Sequence, residues 1–447
     1  MRIPAAFTLL SLAGILSHAR PSGPDLVPGV WTDISPKGLT FSKVTGDGTS
    51  FGQGLAMDPG NPDILYLGTA NFDPVNDGVY KSLDAGSTWT RMGHLDEPLR
   101  VRVDPGNPLH LYAGDGVRGS SLGFWVSHDG GNSWAKPAGW TATATSRKYF
   151  IDDVYDVAVD PRDFRHILVS SHSPWNFGGD PVAGHSAGIL ESRDGGDSWT
   201  VHLPDTGWGY GHNIWFLKDA STWLLGTQGD GYWKTSDAGG NWKQVTKMNM
   251  AHGGGQIYYA KTGVLYSGGW DGIMRSTDDG ETWSQVGPVR FCTAVYGDGN
   301  FLYAHQAYAG GDAPFFRSPE SDGITWTAYA KGGIWGNGPF EMVFDARRGI
   351  LYSSNWADGL LALKVEGANG IRGKSPGADR GARRNRMWTQ LGNSLLPGEG
   401  AAAGPWDLYA GNGKRLGRVD EGGFTGKAMG QQRLLAVPLA GRDGREK

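Results

Sequence analysis

One eight-residue motif, Ser/Thr-x-Asp-x-Gly-x-x-Trp, recurs along this chain and constrains its architecture more than any other feature. It stands at Ser82–Trp89, Ser127–Trp134, Ser192–Trp199, Thr235–Trp242 and Ser276–Trp283, and a sixth copy, stretched by one residue, runs from Ser318 to Trp326. The motif reads as a hairpin turn. Its Asp side chain accepts backbone N–H groups, its Gly takes a positive φ, and its Trp packs beneath the turn as the next strand begins. Most copies are preceded by an Asp-Pro and then a Leu-Tyr-x-Gly, as at Asp58-Pro59 with Leu65-Tyr66 and at Asp104-Pro105 with Leu111-Tyr112. Each unit is therefore four strands: A ends at Asp-Pro, B passes through Leu-Tyr, C runs into the motif, and D leaves its Trp.

The spacing between motif tryptophans is about 43 residues, apart from one longer interval, and this is the period of a four-stranded propeller blade. Strand A starts near Phe51, Leu99, Tyr155, Asn213, Gly255, Ala294 and Phe340, so the expected fold is all-β, a single seven-bladed β-propeller over residues 20–365. The high Gly and Trp counts, 73 and 19, suit many short strands joined by tight turns. The seventh blade, Phe340–Val365, has no motif and no strand D. Val30–Ile34 resembles an orphan strand D, so the N-terminal segment is expected to close the ring and remove both sheet edges. Residues 366–447 turn to Gly, Arg, Pro and Ala with little periodicity and read as a disordered tail, with a stray strand at Met387–Gln390.

Residues 1–19 read as a secretory signal: Arg2, the apolar run Ile3–Ile15, and the small-residue exit Ser17-His18-Ala19. The protein is expected to be secreted. No later run of eighteen apolar residues would span a membrane, and a net charge of −4 offers no basic surface for nucleic acid or anionic lipid. With a single cysteine, Cys292, no internal disulfide can form, so the core must hold the fold. Ring closure leaves no need for a second copy, and a monomer is expected.

These residues resemble the Asp-box (BNR) superfamily over roughly residues 30 to 365. That superfamily includes sialidases, xyloglucan-cleaving hydrolases, several polysaccharide lyases and non-enzymatic propellers. The motif identifies the propeller, but function must be argued from the site. Sialidases carry an Arg-Ile-Pro near the first strand, and here the one Arg-Ile-Pro, Arg2-Ile3-Pro4, lies in the signal. Xyloglucan-cleaving relatives place a catalytic Asp at the first strand A, where this chain has Phe51-Gly52-Gln53-Gly54, and they usually have two propellers. A single secreted propeller with histidines at its mouth resembles the rhamnose-glucuronate lyases that trim arabinogalactan.

Propeller geometry puts the motif turns on one face and the B–C loops and D–A connections around the opposite channel mouth. The loop Ser171–Ala187 is the long insertion, suited to walling a pocket. His212 and His252 precede strand A in adjacent blades and are the expected base pair, with Tyr210 and Tyr155 returning a proton. Arg100, Arg118, Arg147 and Arg290 would neutralise a uronate. Asn213, Trp175, Trp270, Trp335 and Tyr308 complete the expected sugar-binding set through stacking and hydrogen bonds. No metal cluster has compact ligand spacing. No cofactor is called for, with a structural calcium in the channel left open. The leading expectation is an exo-acting lyase that cleaves beside a uronic acid in a plant or microbial polysaccharide such as arabinogalactan. A glycoside hydrolase using Asp152, Asp153, Asp156, Asp230, Asp271 or Glu341 is the first alternative. A non-catalytic glycan- or protein-binding propeller is the second.

Overall fold

In a computed structural model the described residues are 23–39, 41, 51–70, 75–116, 120–146, 153–171, 188–202, 210–249, 255–306, 315–330, 338–355 and 358–366, with short strands beyond. They form seven antiparallel sheets whose strands follow the order A-B-C-D outward from the axis. Strand A is Phe51–Met57, Pro98–Asp104, Val154–Asp160, Tyr210–Phe216, Ile257–Tyr259, Cys292–Gly297 and Glu341–Asp345 in blades 1 to 7. In blade 2 the outermost strand shrinks to a single bridge between Val126 and Ala135. The ring closes as the sequence predicts: Trp31–Asp33 pairs antiparallel with Leu361–Leu363 as the outer strand of blade 7. Trp31 packs edge-on against Phe315 of blade 6, their centroids 4.9 Å apart.

Strand B is the structural heart of each blade. Leu65–Ala70, Leu265–Gly269 and Ile350–Asn355 are buried at every position, because blades stack on both faces of this strand. The stacking explains the Gly of Leu-Tyr-x-Gly. A Cβ on Gly68 would lie 2.1 Å from the carbonyl oxygen of Pro98, and one on Gly268 would lie 2.4 Å from that of Cys292, so the neighbouring strand A crosses directly over these backbones.

The repeated turn is built as its residues dictate. In blade 1 Ser82 Oγ accepts from Gly86 N (2.8 Å), while Asp84 accepts from Thr88 N (2.8 Å) and from the Thr88 hydroxyl (2.6 Å). Ala85 and Gly86 both have positive φ, 57° and 91°. The same pattern holds Asp129, and hydrogen bonds from Ser133 bring its carboxyl down to about 2. In the stretched sixth copy Asp322 takes over, accepting from Thr325 N at 3.0 Å.

Two features differ from expectation. The long interval between Trp134 and Trp199 holds a helix, Ala138–Ser146, whose Trp140 is fully buried against Trp199, 5.2 Å away and edge-on. Beyond residue 366, where a disordered tail is expected, the described segments are strands: Gln390–Leu391 with Ser394–Leu395, and a three-stranded sheet of Trp406–Ala410, Arg415–Val419 and Leu434–Pro438. The signal segment 1–19 lies outside the described residues.

Candidate functional site

The channel mouth is shaped by a second repeat that motif reading does not reveal. Near its mouth end, strand A carries a β-bulge in blades 1, 2, 3, 4 and 6, and in blades 2, 3 and 4 the extra residue is Leu99, Tyr155 and His212. The residues that follow, Arg100, Asp156 and Asn213, therefore occupy equivalent places and face one another. Arg100 Nε donates to Asp156 Oδ1 at 3.0 Å, and Asp156 Oδ2 accepts from Asn213 Nδ2 at 3.1 Å and from Ile214 N at 3.2 Å. Arg102 Nη1 donates to Glu341 Oε1 at 2.8 Å, and Glu341 Oε2 accepts from Leu55 N at 2.7 Å. This net ties together the inner strands of blades 7, 1, 2, 3 and 4.

The net changes the reading of several candidates. Arg100 is 2% exposed and Asn213 fully buried, so their side chains lie inside the net and not on the rim where ligand contact was expected. Arg100 Nη2 and Asn213 Oδ1 keep no partner among the described residues. Asp156 and Glu341 are likewise engaged as acceptors within the net. Tyr155 is 5% exposed and packs with Ala70 and Leu99. Arg290 is exposed, and Trp270, half-buried, meets Phe291 edge-on. His212 and Tyr210 lie within strand A of blade 4 and not before it, and their side chains fall outside the described residues. His252, Arg118, Arg147, Trp175, Trp335, Tyr308 and Asp152 also fall outside them, as does most of the long insertion.

Two groups of mouth acids were not singled out in the sequence or were singled out only in part. Asp96 and Asp115 converge on the Ser121 hydroxyl, with Asp115 Oδ2 at 2.8 Å, and Asp96 also takes Ser120 N at 2.8 Å and the Ser120 hydroxyl. One hydroxyl proton cannot serve two carboxylates, so the geometry suits one carboxylate and one neutral acid. Burial pushes the Asp115 carboxyl up to about 7, while the serine hydrogen bonds keep Asp96 low despite its burial. Asp115 is fully buried and holds its loop in place.

The second group stands on Asp-Gly turns. Asp230-Gly231 and Asp271-Gly272 open strand C in adjacent blades, with Gly231 at φ 74° and Gly272 at φ 125°. A Cβ on either Gly would lie about 2 Å from a carbonyl oxygen of the chain leaving strand D, 2.0 Å from Thr246 and 2.1 Å from Val289. Gln244 and Gln285 donate to the Asp230 and Asp271 carbonyls. The turns are thus fixed by their backbones, which leaves the carboxylates for other partners; Asp230 is half-buried and Asp271 exposed.

Among the described residues no group of three or more His, Cys, Asp or Glu is arranged to hold a metal. Cavities of about 700 and 330 Å3 lie on the opposite, motif-turn face, beside Trp89 and beside His110 and His128. They are remote from the mouth.

No protein-family profile matches the chain. It is 26% identical to a xyloglucanase of Hypocrea jecorina over 276 residues, covering 52% of this chain and 32% of that protein. A xyloglucanase of Paenibacillus is 28% identical over 273 residues, covering 52% of this chain and 26% of that one. The chain thus matches a third or less of these relatives' length. Among solved structures, an ancestral GH74 enzyme superposes with a TM-score of 0.48 at 18% identity, covering 74% of this chain and 46% of its own. YCF48 bound to D1 peptide gives 0.48 at 14% identity, covering 76% and 98%. Both of these sequence relatives are xyloglucanases, and neither is a lyase of arabinogalactan, the activity expected first.

Proposed function

We propose that this propeller engages a plant polysaccharide of the xyloglucan kind at its channel mouth and cleaves it by hydrolysis. The observation that supports this best is the 26–28% identity to two xyloglucanases across 52% of the chain. A glycoside hydrolase needs one carboxyl group that gives a proton to the leaving oxygen and a second, ionised one that assists attack from the other side. Asp230 and Asp271 suit those tasks: they occupy rigid turns on adjacent blades and retain access to solvent. Asp156 and Glu341 do not, because the axial net engages them. A polymer of this size is met outside the cell, in keeping with the expected export and with a protein that works as a monomer.

The test is a reducing-end assay on xyloglucan run beside ultraviolet absorbance on arabinogalactan. New reducing ends without absorbance are expected, and Asp230→Asn and Asp271→Asn should each lower kcat by about a hundredfold or more. A rise in absorbance on arabinogalactan would sink the hydrolase reading in favour of a lyase.

A second reading, a propeller that binds the glycan without cleaving it, is favoured by one observation. Where the resemblance places a catalytic Asp, this chain has Phe51-Gly52-Gln53-Gly54. Binding of xyloglucan with no turnover would establish it.

A further inference from the structure

We propose that Phe291, with Trp270, forms a built sugar-stacking subsite on the rim between blades 5 and 6. The inference rests on the proposed polysaccharide ligand and adds a residue and a place to it. Phe291 is 39% exposed and has φ 53°, a left-handed conformation that a bulky side chain adopts only when the surroundings impose it. Among the described residues four other non-glycine residues share a positive φ, and three of them, Ala85, Ala238 and Asp279, belong to the repeated turns. Phe291 belongs to none of these turns.

What imposes the conformation is a chain of backbone hydrogen bonds running along the mouth. Asn249 Oδ1 accepts from Gly229 N and Gly231 N, each at 3.0 Å, and so clamps the B–C turn of blade 4. The Asn249 carbonyl then accepts from Trp270 N at 2.9 Å, and the Trp270 carbonyl accepts from Phe291 N at 3.2 Å. Three successive blades are thereby linked in register. The result is a right-angled corner of two aromatic rings, 5.5 Å between centroids and 86° between planes, with Trp270 half-buried behind an exposed Phe291.

An exposed ring held by its backbone, with a second ring behind it, offers the C–H face of a pyranose a surface that needs no reordering on binding. Arg290, next in sequence to Phe291 and exposed, supplies hydrogen-bond donors for sugar hydroxyls at its border, and Asp271, next to Trp270, sets the corner beside the proposed catalytic carboxylates. A neutral glucan backbone fits this chemistry, because the corner itself carries no charge. The left-handed backbone fixes where the ring stands, at a cost in local stability.

The decisive variant is Phe291→Gly, since Gly adopts this φ without penalty and removes only the ring. Full-length wild-type and variant proteins are titrated calorimetrically with xyloglucan oligosaccharides, and their melting temperatures are recorded. The expected result is an affinity about three- to tenfold weaker with a melting temperature equal to or above wild type, and Phe291→Trp should retain binding. Unchanged affinity in the Gly variant overturns the subsite while leaving the polysaccharide reading intact. A wild-type protein that binds and cleaves no xyloglucan overturns the reading and the subsite together.

Discussion

The two faces of this ring are stabilised by different means. On one face five turns repeat the same short motif, and the Ser or Thr and the Asp of each make the hydrogen bonds that define the turn within eight residues of sequence. On the other face the strands are joined by contacts between distant residues: Arg102 meets Glu341 239 positions away, and Leu55 donates to the same carboxylate across 286. Local chemistry builds the first face blade by blade, whereas the second exists only once the blades have assembled. A site that must read an external polymer can vary on the second face without disturbing the repeat that makes the fold.

If that contrast is right, the largest loss of stability comes from the axial net. Asp156→Ala leaves the buried Arg100 with only the more distant Glu341 carboxylate, 3.9 Å away, and should cost on the order of 3 kcal/mol in urea unfolding. The matching change on the other face, Asp84→Ala, should cost about 1 kcal/mol, the worth of a capping side chain in a solvent-exposed turn. Equal costs would break the contrast.

The next effect depends on pH. The Asp115 carboxyl titrates near 7 in the folded protein against an ordinary 3.8, so its contribution is most favourable below about pH 4 and is lost as pH rises through 7. Asp115→Asn should therefore gain stability over wild type at pH 8, on the order of a few kcal/mol, with the gain fading toward pH 4. A gain that is the same at both pH values would show that the proton is not what Asp115 contributes. A pair of glycine changes sharpens the local side of the comparison. Gly239→Ala meets both a φ of 83° and His202 Nδ1 at 2.5 Å, and should lose roughly 1–2 kcal/mol by thermal melting. Gly38→Ala, at φ 92° with open space around its Cβ, should lose only the backbone part, roughly 1 kcal/mol.

The same division governs what can be read from the sequence. The repeat revealed seven blades, the starts of their inner strands and the closing strand, because each signal lies within a short window. The blade-2 helix is not legible because Ala138–Ser146 has no apolar stripe, and its buried Trp140 is a single residue without a period. At the mouth, a count of residues before strand A put His212 ahead of the strand. The bulges move the register by one and give the axis to Arg100, Asp156 and Asn213 instead. Such a slip is invisible without the pairing. Asp230 and Asp271 are legible as acids near the mouth, but an Asp-Gly dipeptide does not say that its turn is pinned against the chain leaving strand D. Phe291 carried no signal at all, since a left-handed φ at Phe has no counterpart in composition.

The closing strand has a consequence for how the chain reaches its native state. Ser35 accepts from Leu360 N although the two are 325 positions apart, and the Trp31 ring fills the core between the last two blades. The strand made early must wait for blade 7, some three hundred residues later, so the ring cannot seal until that blade has been made. Contacts of this sequence separation slow folding, and the intermediate that waits exposes one unpaired sheet edge on blade 7. Refolding should therefore show a late, rate-limiting phase that a circular permutant, with the closing strand fused after residue 366, would abolish.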